Sequence, residues 1–455
     1  MRGASVQPGL LPAIQRGAAV AVIVLMIVYT LAFIDRQLLN LLLDPIRGSL
    51  ALSDIEMSLI QGLGFTVTYV IFGPMFGMLA DRVSRRLLLS IAAIVWSIAT
   101  LACGLATGFW TLFLARALVG AAEASVQPAA WSALADFYSR EALPRAMSIF
   151  LVAPYIGGGL ALIFGGSLLA SAGSISELVP SLADLDPWRI VFIVVGVVGI
   201  AIVALMLLVR EPVRRQFGTD TQTATRAGTP REVLAFLWAN RAFFLRFYGA
   251  MTGIVIILYA LPAWMPTVIL RTYGTPLSDL GIQYGAIMLV AGTAGVLLGP
   301  TVARILERRG YGNGMLLVIA LSALLMVPAA ASIPFQPSSV GAMAVAGLLA
   351  FLYSLPQAMA ATTLQLTSPS HMRGLIISIY VVVINIAGLG IAPLLVAFIT
   401  EGLFADPKMV GWSLAIVCTI SGLVATWLGL QARRHYHVVD PDARASAAQD
   451  TGEPG

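Results

Sequence analysis

Residues 77–86 read "GMLADRVSRR" and residues 299–309 read "GPTVARILERR". Each is a short, glycine-led, basic stretch between two long apolar runs. Aligning Gly77 with Gly299 also aligns Arg82 with Arg304, an offset of 222 residues. A second pair, "RAMSIF" (145–150) and "RGLIIS" (373–378), repeats at an offset of 228. Two matches at nearly one offset, on equivalent loops, predict a chain made of two similar halves.

The runs around these loops set the fold class. A stretch of about 20 apolar residues crosses a hydrocarbon core roughly 30 Å thick. Twelve such spans are expected, over about 18–43, 55–80, 86–106, 110–136, 145–170, 188–210, 243–270, 280–304, 313–333, 340–367, 374–400 and 411–432. Of the 455 residues, 59% are hydrophobic and only 11% charged, against roughly 25% charged in soluble domains. The expected fold is therefore an all-α integral membrane protein with 12 transmembrane helices in two six-helix, pseudo-repeated bundles. The first bundle is expected over 1–210 and the second over 241–435. Between them, 211–240 is a polar cytoplasmic linker, and 436–455 is expected to be a disordered cytoplasmic tail. The first span is too long for a cleavable signal peptide and lacks a small-residue cleavage site, so it is expected to be retained. In the linker, "TPRE" (229–232) places Thr229 as a helix cap, Pro230 at the first helical position and Glu232 three past the cap, which predicts a short interfacial helix. "SDIE" (53–56) caps the second span in the same way.

Charge sets the orientation. Of 27 Lys+Arg, twenty fall on the N-terminal side of the membrane, four (Arg47, Arg189, Arg271 and Lys408) on the other, and three inside spans. By the positive-inside rule both termini are cytoplasmic, and a bacterial inner membrane is the expected location. The arginines are scattered among loops and form no single basic face, so nucleic acid is not an expected partner. Cys103 and Cys418 lie in apolar spans and imply no disulfide framework. His371, His435 and His437 sit at or beyond span ends, so no metal site or buried nucleophile–base set is expected. Neither is a phosphate-binding loop of the G-x-x-x-x-G-K-[ST] kind. The expectations are no enzyme, no cofactor and no ATP-driven pump.

Loop position alone explains Arg85 and Arg86 as charges that hold a loop inside. It does not explain Asp81 and Arg82 behind Gly73 and Gly77, glycines spaced as in small-xxx-small helix contacts. "GMLADRVSRR" resembles the signature loop of the major facilitator superfamily. That resemblance implies two six-helix halves that rock about a central site, with Gly77, Asp81, Arg82, Arg85 and Arg86 forming a loop that latches the outward-open state. The second copy has Ala303 where the acid would stand, so its latch is expected to be weaker or absent. Three further segments, "FIDRQLLNLLLDPI" (33–46), "LARALVGAAEASVQPAA" (114–130) and "PWRIVFIVVGVVGI" (187–200), together resemble bacterial members of the Spinster-like branch. Relatives in that branch move lysophospholipids and sphingoid lipids. Parts of the first two segments also resemble transporters of small organic anions.

Inside the spans the ionisable residues are Asp35, Arg36, Arg116, Glu123 and, near a cytoplasmic end, Arg246. A charge at mid-membrane costs at least about 2.5–3.5 kcal/mol, so such residues face an interior and seek partners. Arg246 can snorkel to the interface. Asp35 lies about 12 Å below the outer end of the first span, Arg116 about 9 Å and Glu123 about 20 Å deep in the fourth. If these spans are neighbours, Arg116 is level with Asp35 and Glu123 lies one step inward. A static ion-pair network between the two helices would account for this pattern; so would a proton and substrate site. An acid in apolar surroundings holds its proton more tightly and a nearby arginine loosens it, while arginine keeps its own proton. Asp35 is thus expected to be the principal proton switch and Glu123 the second acid, with Arg36 and Arg116 as ion-pair or head-group residues.

The second half has no charge at matching depth. Its interior polar residues are Tyr259, Trp264, Tyr353, Ser354, Gln357 and Asn385, equally suited to helix packing. With Gln127 and Tyr155 of the first half, Tyr259, Trp264, Tyr353, Gln357 and Asn385 are the candidate cavity residues. A cavity ionic on one wall and mostly apolar on the other suits an amphiphile. A proton-coupled transporter of a lysophospholipid or sphingoid lipid is therefore expected, in monomeric form, with a proton- or sodium-coupled carrier of small organic anions as the alternative. "PYIGGGLALIFGG" (154–166) is similar to an exchanger-associated motif of the superfamily, in degenerate form, and close backbone packing explains it as well. Pro128, Pro154, Pro262, Pro266 and Pro356 are candidate bends.

Overall fold

The computed structural model describes residues 11–80, 82–138, 143–150, 152–211, 229–369 and 372–436. Among these no strand occurs, and twelve helices are long and apolar enough to cross a membrane. They are span 1 (Gly17–Leu41), span 2 (Asp54–Ala80), span 3 (Arg85–Gly104), span 4 (Phe109–Leu134), span 5 (Ala153–Leu178) and span 6 (Pro187–Leu208). The remainder are span 7 (Arg241–Tyr273), span 8 (Leu277–Arg308), span 9 (Gly314–Phe335), span 10 (Ser339–Thr367), span 11 (Leu375–Phe404) and span 12 (Pro407–Arg434). Eleven begin within four residues of the expected starts. Span 5 differs: Leu143–Phe150 is a separate helix, and the span starts at Ala153 and continues to Leu178. Pro154 stands in the first turn of that new helix, where its missing N–H costs nothing. The expected tail falls outside the described residues after Tyr436, as do 212–228 of the linker.

The chain divides into two compact units, Met1–Leu52 with Gly64–Phe217, and Ser53–Leu63 with Gly218–Gly455. The eleven residues Ser53–Leu63, expected in the first bundle, thus group with the second. In the first unit span 5 packs along span 1, span 6 along span 3, and span 4 against spans 2 and 3. In the second, span 11 packs along span 7, span 12 along spans 7 and 9, and span 10 against spans 8 and 9. The pairings 1–5, 2–4 and 3–6 therefore recur as 7–11, 8–10 and 9–12 within the second unit. Trp96, Trp188, Phe192 and Phe150 fill the first core, and Trp264, Tyr284, Phe243 and Phe247 the second.

Local sequence explains where the helices start, tighten and break. Ser53 accepts from the Glu56 N–H at 3.1 Å while the Glu56 carboxylate accepts from the Ser53 N–H at 2.8 Å, closing a capping box. Spans 4 and 10 are each interrupted by a two-residue turn, at Ala124–Ser125 and Leu355–Pro356. Pro128 and Pro356 lie at these breaks and remove a ladder donor, whereas Pro262 and Pro266 sit in an unbroken helix. Wider π-helical turns occur at Leu59–Leu63 in span 2 and at Ile386–Ile391 and Ile399–Phe404 in span 11. Such turns carry one extra residue and were not legible in the apolar pattern.

Glycine packing falls at other positions than Gly73 and Gly77. A Cβ at Gly73 would meet nothing within 4 Å, and one at Gly77 only the Pro128 Cβ at 3.9 Å. The close approaches are at Gly157, where a Cβ would stand 2.6 Å from the Phe33 Cβ and 2.7 Å from the Thr30 carbonyl, and at Gly120, 2.4 Å from the Phe65 carbonyl. Gly157 belongs to the "PYIGGG" stretch, so that stretch is the seam between spans 5 and 1. In the second unit, the fully buried Asp54 receives two hydrogen bonds from the Arg271 guanidinium at 2.7 Å each. Glu401 accepts from the Asp54 backbone N–H. Sequence reading gave this pair no role, because both residues lie at span ends where exposure is the ordinary expectation.

Candidate functional site

Asp35 and Arg36 are adjacent in span 1, so their side chains leave the helix about 100° apart. Each reaches a different partner. The Asp35 Oδ1 lies 3.9 Å from Arg116 Nη1 of span 4, and its Oδ2 accepts a hydrogen bond from the Thr100 hydroxyl of span 3. Arg36 Nη2 donates to Glu123 Oε2 at 2.7 Å. All but Arg36 are essentially sealed from solvent, with Arg116 0%, Asp35 1% and Glu123 1% exposed. The four charges expected at the junction of spans 1 and 4 are thus brought together in the first unit, as two pairs.

The pairs are unlike. Arg36–Glu123 is a closed, charge-assisted hydrogen bond. Asp35–Arg116 is an open charge contact: among the described residues, neither Asp35 Oδ1 nor Arg116 Nη1 has a hydrogen-bond partner. Arg36 is also cradled by rings, its guanidinium carbon 4.6 Å from the Phe33 centroid, 4.3 Å from Phe65 and 5.3 Å from Tyr69. Each contact of this kind stabilises by about 0.5–2 kcal/mol. Phe65 also lies 5.5 Å from the Arg116 guanidinium, so one ring touches both cations. Glu123 ends the first helical segment of span 4, and the break behind it is tied by the Ser125 hydroxyl donating to the Ala122 carbonyl at 2.8 Å.

Gln127, just past that break, donates to the Tyr29 hydroxyl at 2.7 Å and accepts from the Tyr69 hydroxyl at 3.2 Å. Tyr29 stacks on Phe150, centroids 4.7 Å apart. Tyr155 is half-buried on span 5. Thr100 and the cradle of Phe33, Phe65, Tyr69 and Tyr29 escaped the sequence reading, since hydroxyls and rings are frequent on any buried helix face.

In the 77–86 loop, Asp81 lies outside the described residues. Arg82 is exposed. Arg85 is buried and pairs with Asp136 of the span 4 terminus at 2.7 Å, with the Ser132 hydroxyl accepting from its Nε at 3.1 Å. Glu211, beyond span 6, accepts from the backbone N–H groups of Arg85 and Arg86 at 3.0 Å each and from the Ser84 hydroxyl at 2.7 Å. Its carboxylate thus sits on the positive start of span 3. Burial pushes the Glu211 carboxyl up, but those three hydrogen bonds and the Arg85 charge outweigh it and hold it below its ordinary value. Arg85 is therefore more than a topological charge: it joins spans 3 and 4 to the exit of span 6.

The second-unit candidates are mostly packed. Trp264 is fully buried and its indole donates to the Pro393 carbonyl at 3.0 Å, which makes it a staple between spans 7 and 11 and removes it from a cavity wall. The Gln357 amide donates to the Tyr353 carbonyl at 3.0 Å across the span 10 break, and Tyr353 and Ser354 are buried. Tyr259 and Asn385 are half-buried, Tyr259 lying against Gly388 and Asn385 opening the first π-turn of span 11. Arg246 turns toward the start of its helix, donating to the Ala242 carbonyl at 2.5 Å.

Among the described residues, twelve membrane-length helices packed in two repeated sets, with charges sealed inside the first unit, define a polytopic helical membrane protein. Residues 25–393 match the family model of the Major Facilitator Superfamily, and the chain belongs to that family. It is 27% identical over 332 residues to Protein spinster of Drosophila melanogaster, covering 71% of this chain and 52% of that protein. An MFS-type efflux pump of Mycolicibacterium smegmatis is 28% identical over 319 residues, 69% of this chain and 68% of the pump. The chain spans about half the length of the first animal relatives it matches. Among solved structures, a bacterial homologue of the human lysosomal transporter Spinster, inward-facing and unoccupied, superposes with a TM-score of 0.76 at 23% identity. That match covers 97% of this chain and 98% of the homologue. A D-xylose–proton symporter superposes at 0.65 with 16% identity, over 89% of this chain and 96% of the symporter. These likenesses establish the fold.

Proposed function

We propose that this protein is a proton-coupled secondary transporter that works by alternating access and moves an amphiphilic, lipid-like substrate of the lysophospholipid or sphingoid type. It would act as a monomer in a bacterial inner membrane with both termini cytoplasmic, as the arginine distribution favours. The observation that carries the proposal is the unequal pairing of the four buried charges. Glu123 is closed onto Arg36 at 2.7 Å, whereas Asp35 stands 3.9 Å from Arg116. A proton on Asp35 Oδ1, the oxygen with no hydrogen-bond partner among the described residues, leaves the Thr100 bond to Oδ2 in place but cancels the attraction to Arg116. That frees the cation to move with its helix or to meet a substrate anion. Glu123 acts second, once Arg36 is drawn away.

The aromatic cradle around Arg36 supports an amphiphile: it holds a cation ready for a phosphate-like head group among rings that accept an alkyl chain. The relatives named Protein spinster and MFS-type efflux pump support transport as the activity. A carrier of small organic anions is the alternative, favoured by one feature, the Arg116 Nη1 that makes no hydrogen bond among the described residues and could hold a carboxylate. Proteoliposomes with an imposed pH gradient separate the two. Gradient-dependent movement of a fluorescent lysophospholipid, insensitive to excess carboxylate, is the expected result. Movement of a labelled carboxylate alone would replace the lipid with the anion.

A further inference from the structure

Between the two six-span repeats lies a helix that does not cross the membrane, Pro230–Ala239. The Thr229 hydroxyl accepts from the Glu232 N–H at 3.3 Å and the Glu232 carboxylate accepts from the Thr229 N–H at 3.0 Å, so the helix is closed by a capping box. At its other end Asn240 turns the chain into span 7, its amide donating to the Phe236 carbonyl at 2.9 Å. Val233 is buried, and the Phe236 ring meets Phe244 with centroids 5.6 Å apart. These contacts fix which face is turned away from the protein. That face carries Leu234, Ala235 and Trp238, with Leu234 61% and Trp238 69% exposed.

An apolar stripe holding a tryptophan is costly in water and ordinary at a bilayer interface. Exposed arginines flank it at both ends. Arg231 is one turn before Leu234, and Arg241 lies beyond Trp238, its guanidinium carbon 5.2 Å from the Trp238 ring. Arg241 Nη1 donates to the Trp238 carbonyl at 3.1 Å, which fixes the charge over the indole. The helix's one acid, Glu232, is engaged in the capping box. The patch is thus apolar at its centre and cationic at its margins.

We propose that the Pro230–Ala239 helix is a docking surface for an anionic glycerophospholipid of the adjoining leaflet. Leu234 and Trp238 lie among the acyl chains. Arg241, held over the Trp238 indole, meets the phosphodiester. Arg231, about 15 Å away along the helix, adds to the positive margin that attracts the anionic lipid. The helix is covalently continuous with span 7, which begins at Arg241, so a bound lipid anchors the entry to that span. This inference is independent of the transported substrate.

The test uses the full chain in detergent and in nanodiscs, with phosphatidylglycerol as probe and phosphatidylcholine as control. Native mass spectrometry is expected to show retained phosphatidylglycerol in excess of phosphatidylcholine. The Arg231→Gln/Arg241→Gln double variant should bind phosphatidylglycerol about thirtyfold more weakly, as two interfacial arginines imply. Trp238→Gln, which keeps both charges, should also weaken it, so the proposal does not depend on one variant folding. Glycerol phosphate should not displace the lipid, because the apolar stripe is part of the site. Equal retention of phosphatidylglycerol by the wild type and both variants would overturn the proposal, as would displacement by glycerol phosphate.

Discussion

Asp35 and Arg36 are neighbours in sequence and strangers in partnership, one bound toward span 3 and the other toward span 4. The cost of charge in hydrocarbon made all four interior residues legible, because no bland role accounts for an acid and a base inside one apolar run. Their pairing was not legible. It depends on how far span 1 is rotated about its axis, which turns on packing against Gly157 and Phe65 and not on the identity of the charges. Removing one partner of a buried pair strands the other, at a cost of about 3–5 kcal/mol, while removing both together costs less. Glu123→Gln and Arg36→Gln are therefore each expected to lower the melting temperature of the purified protein more than the double variant does. Additive losses in a double-mutant cycle would show that the two are not energetically coupled. Arg36→Lys is expected to restore the charge but not function, since an ammonium cannot lie flat among the Phe33, Phe65 and Tyr69 rings.

At the scale of elements, hydropathy located the spans because a membrane helix needs length and apolarity, and both are counted directly in the sequence. The two capping boxes were legible for a similar reason: Ser53–Glu56 and Thr229–Glu232 each use a fixed three-residue spacing. The start of span 5 and the three π-turns depend on tertiary contact, so periodicity missed them; close backbone packing at "PYIGGG" was legible from its glycines, but the partner span was not. Gly157 and Gly173 on span 5 make the contrast testable. A methyl at Gly157 collides with the Phe33 Cβ and the Thr30 carbonyl, whereas one at Gly173 meets nothing within 4 Å. Gly157→Ala is expected to destabilise by about 1–3 kcal/mol. Gly173→Ala should be neutral or stabilising by up to about 1 kcal/mol. Thermal unfolding in one detergent compares them, and equal melting temperatures would refute the close seam. The Glu211 carboxyl gives an element-scale pH dependence. Its value in the folded state is held low, chiefly by hydrogen bonds from the start of span 3. Its stabilising contribution is therefore complete above the ordinary carboxylate value of about 4.3 and is lost as pH falls through the lower folded value. Glu211→Gln should flatten the acid limb of the stability profile, and an unchanged limb would remove the carboxyl from that role.

For the whole molecule, the repeat seen in "GMLADRVSRR" and "GPTVARILERR" extends to the packing within each unit, where spans 1–5, 2–4 and 3–6 are matched by 7–11, 8–10 and 9–12. Duplication was legible because loops preserve offset. The grouping of Ser53–Leu63 with the second unit was not, because a helix that passes from one compact unit to another leaves no mark in hydropathy. The charges did not duplicate with the packing: Asp35, Arg116 and Glu123 have no counterparts at matching depth in the second half. The proposed proton coupling is therefore placed in the first unit, and above all at the open contact of Asp35 with Arg116. The most direct test is proteoliposomes loaded with a pH-sensitive dye, holding either the wild type or Asp35→Asn, and challenged with lysophospholipid. Substrate movement in the wild type should be accompanied by proton movement. In Asp35→Asn, gradient-driven accumulation should be lost while substrate exchange without a gradient persists. Unchanged gradient-driven transport by Asp35→Asn would contradict the assignment of the proton switch.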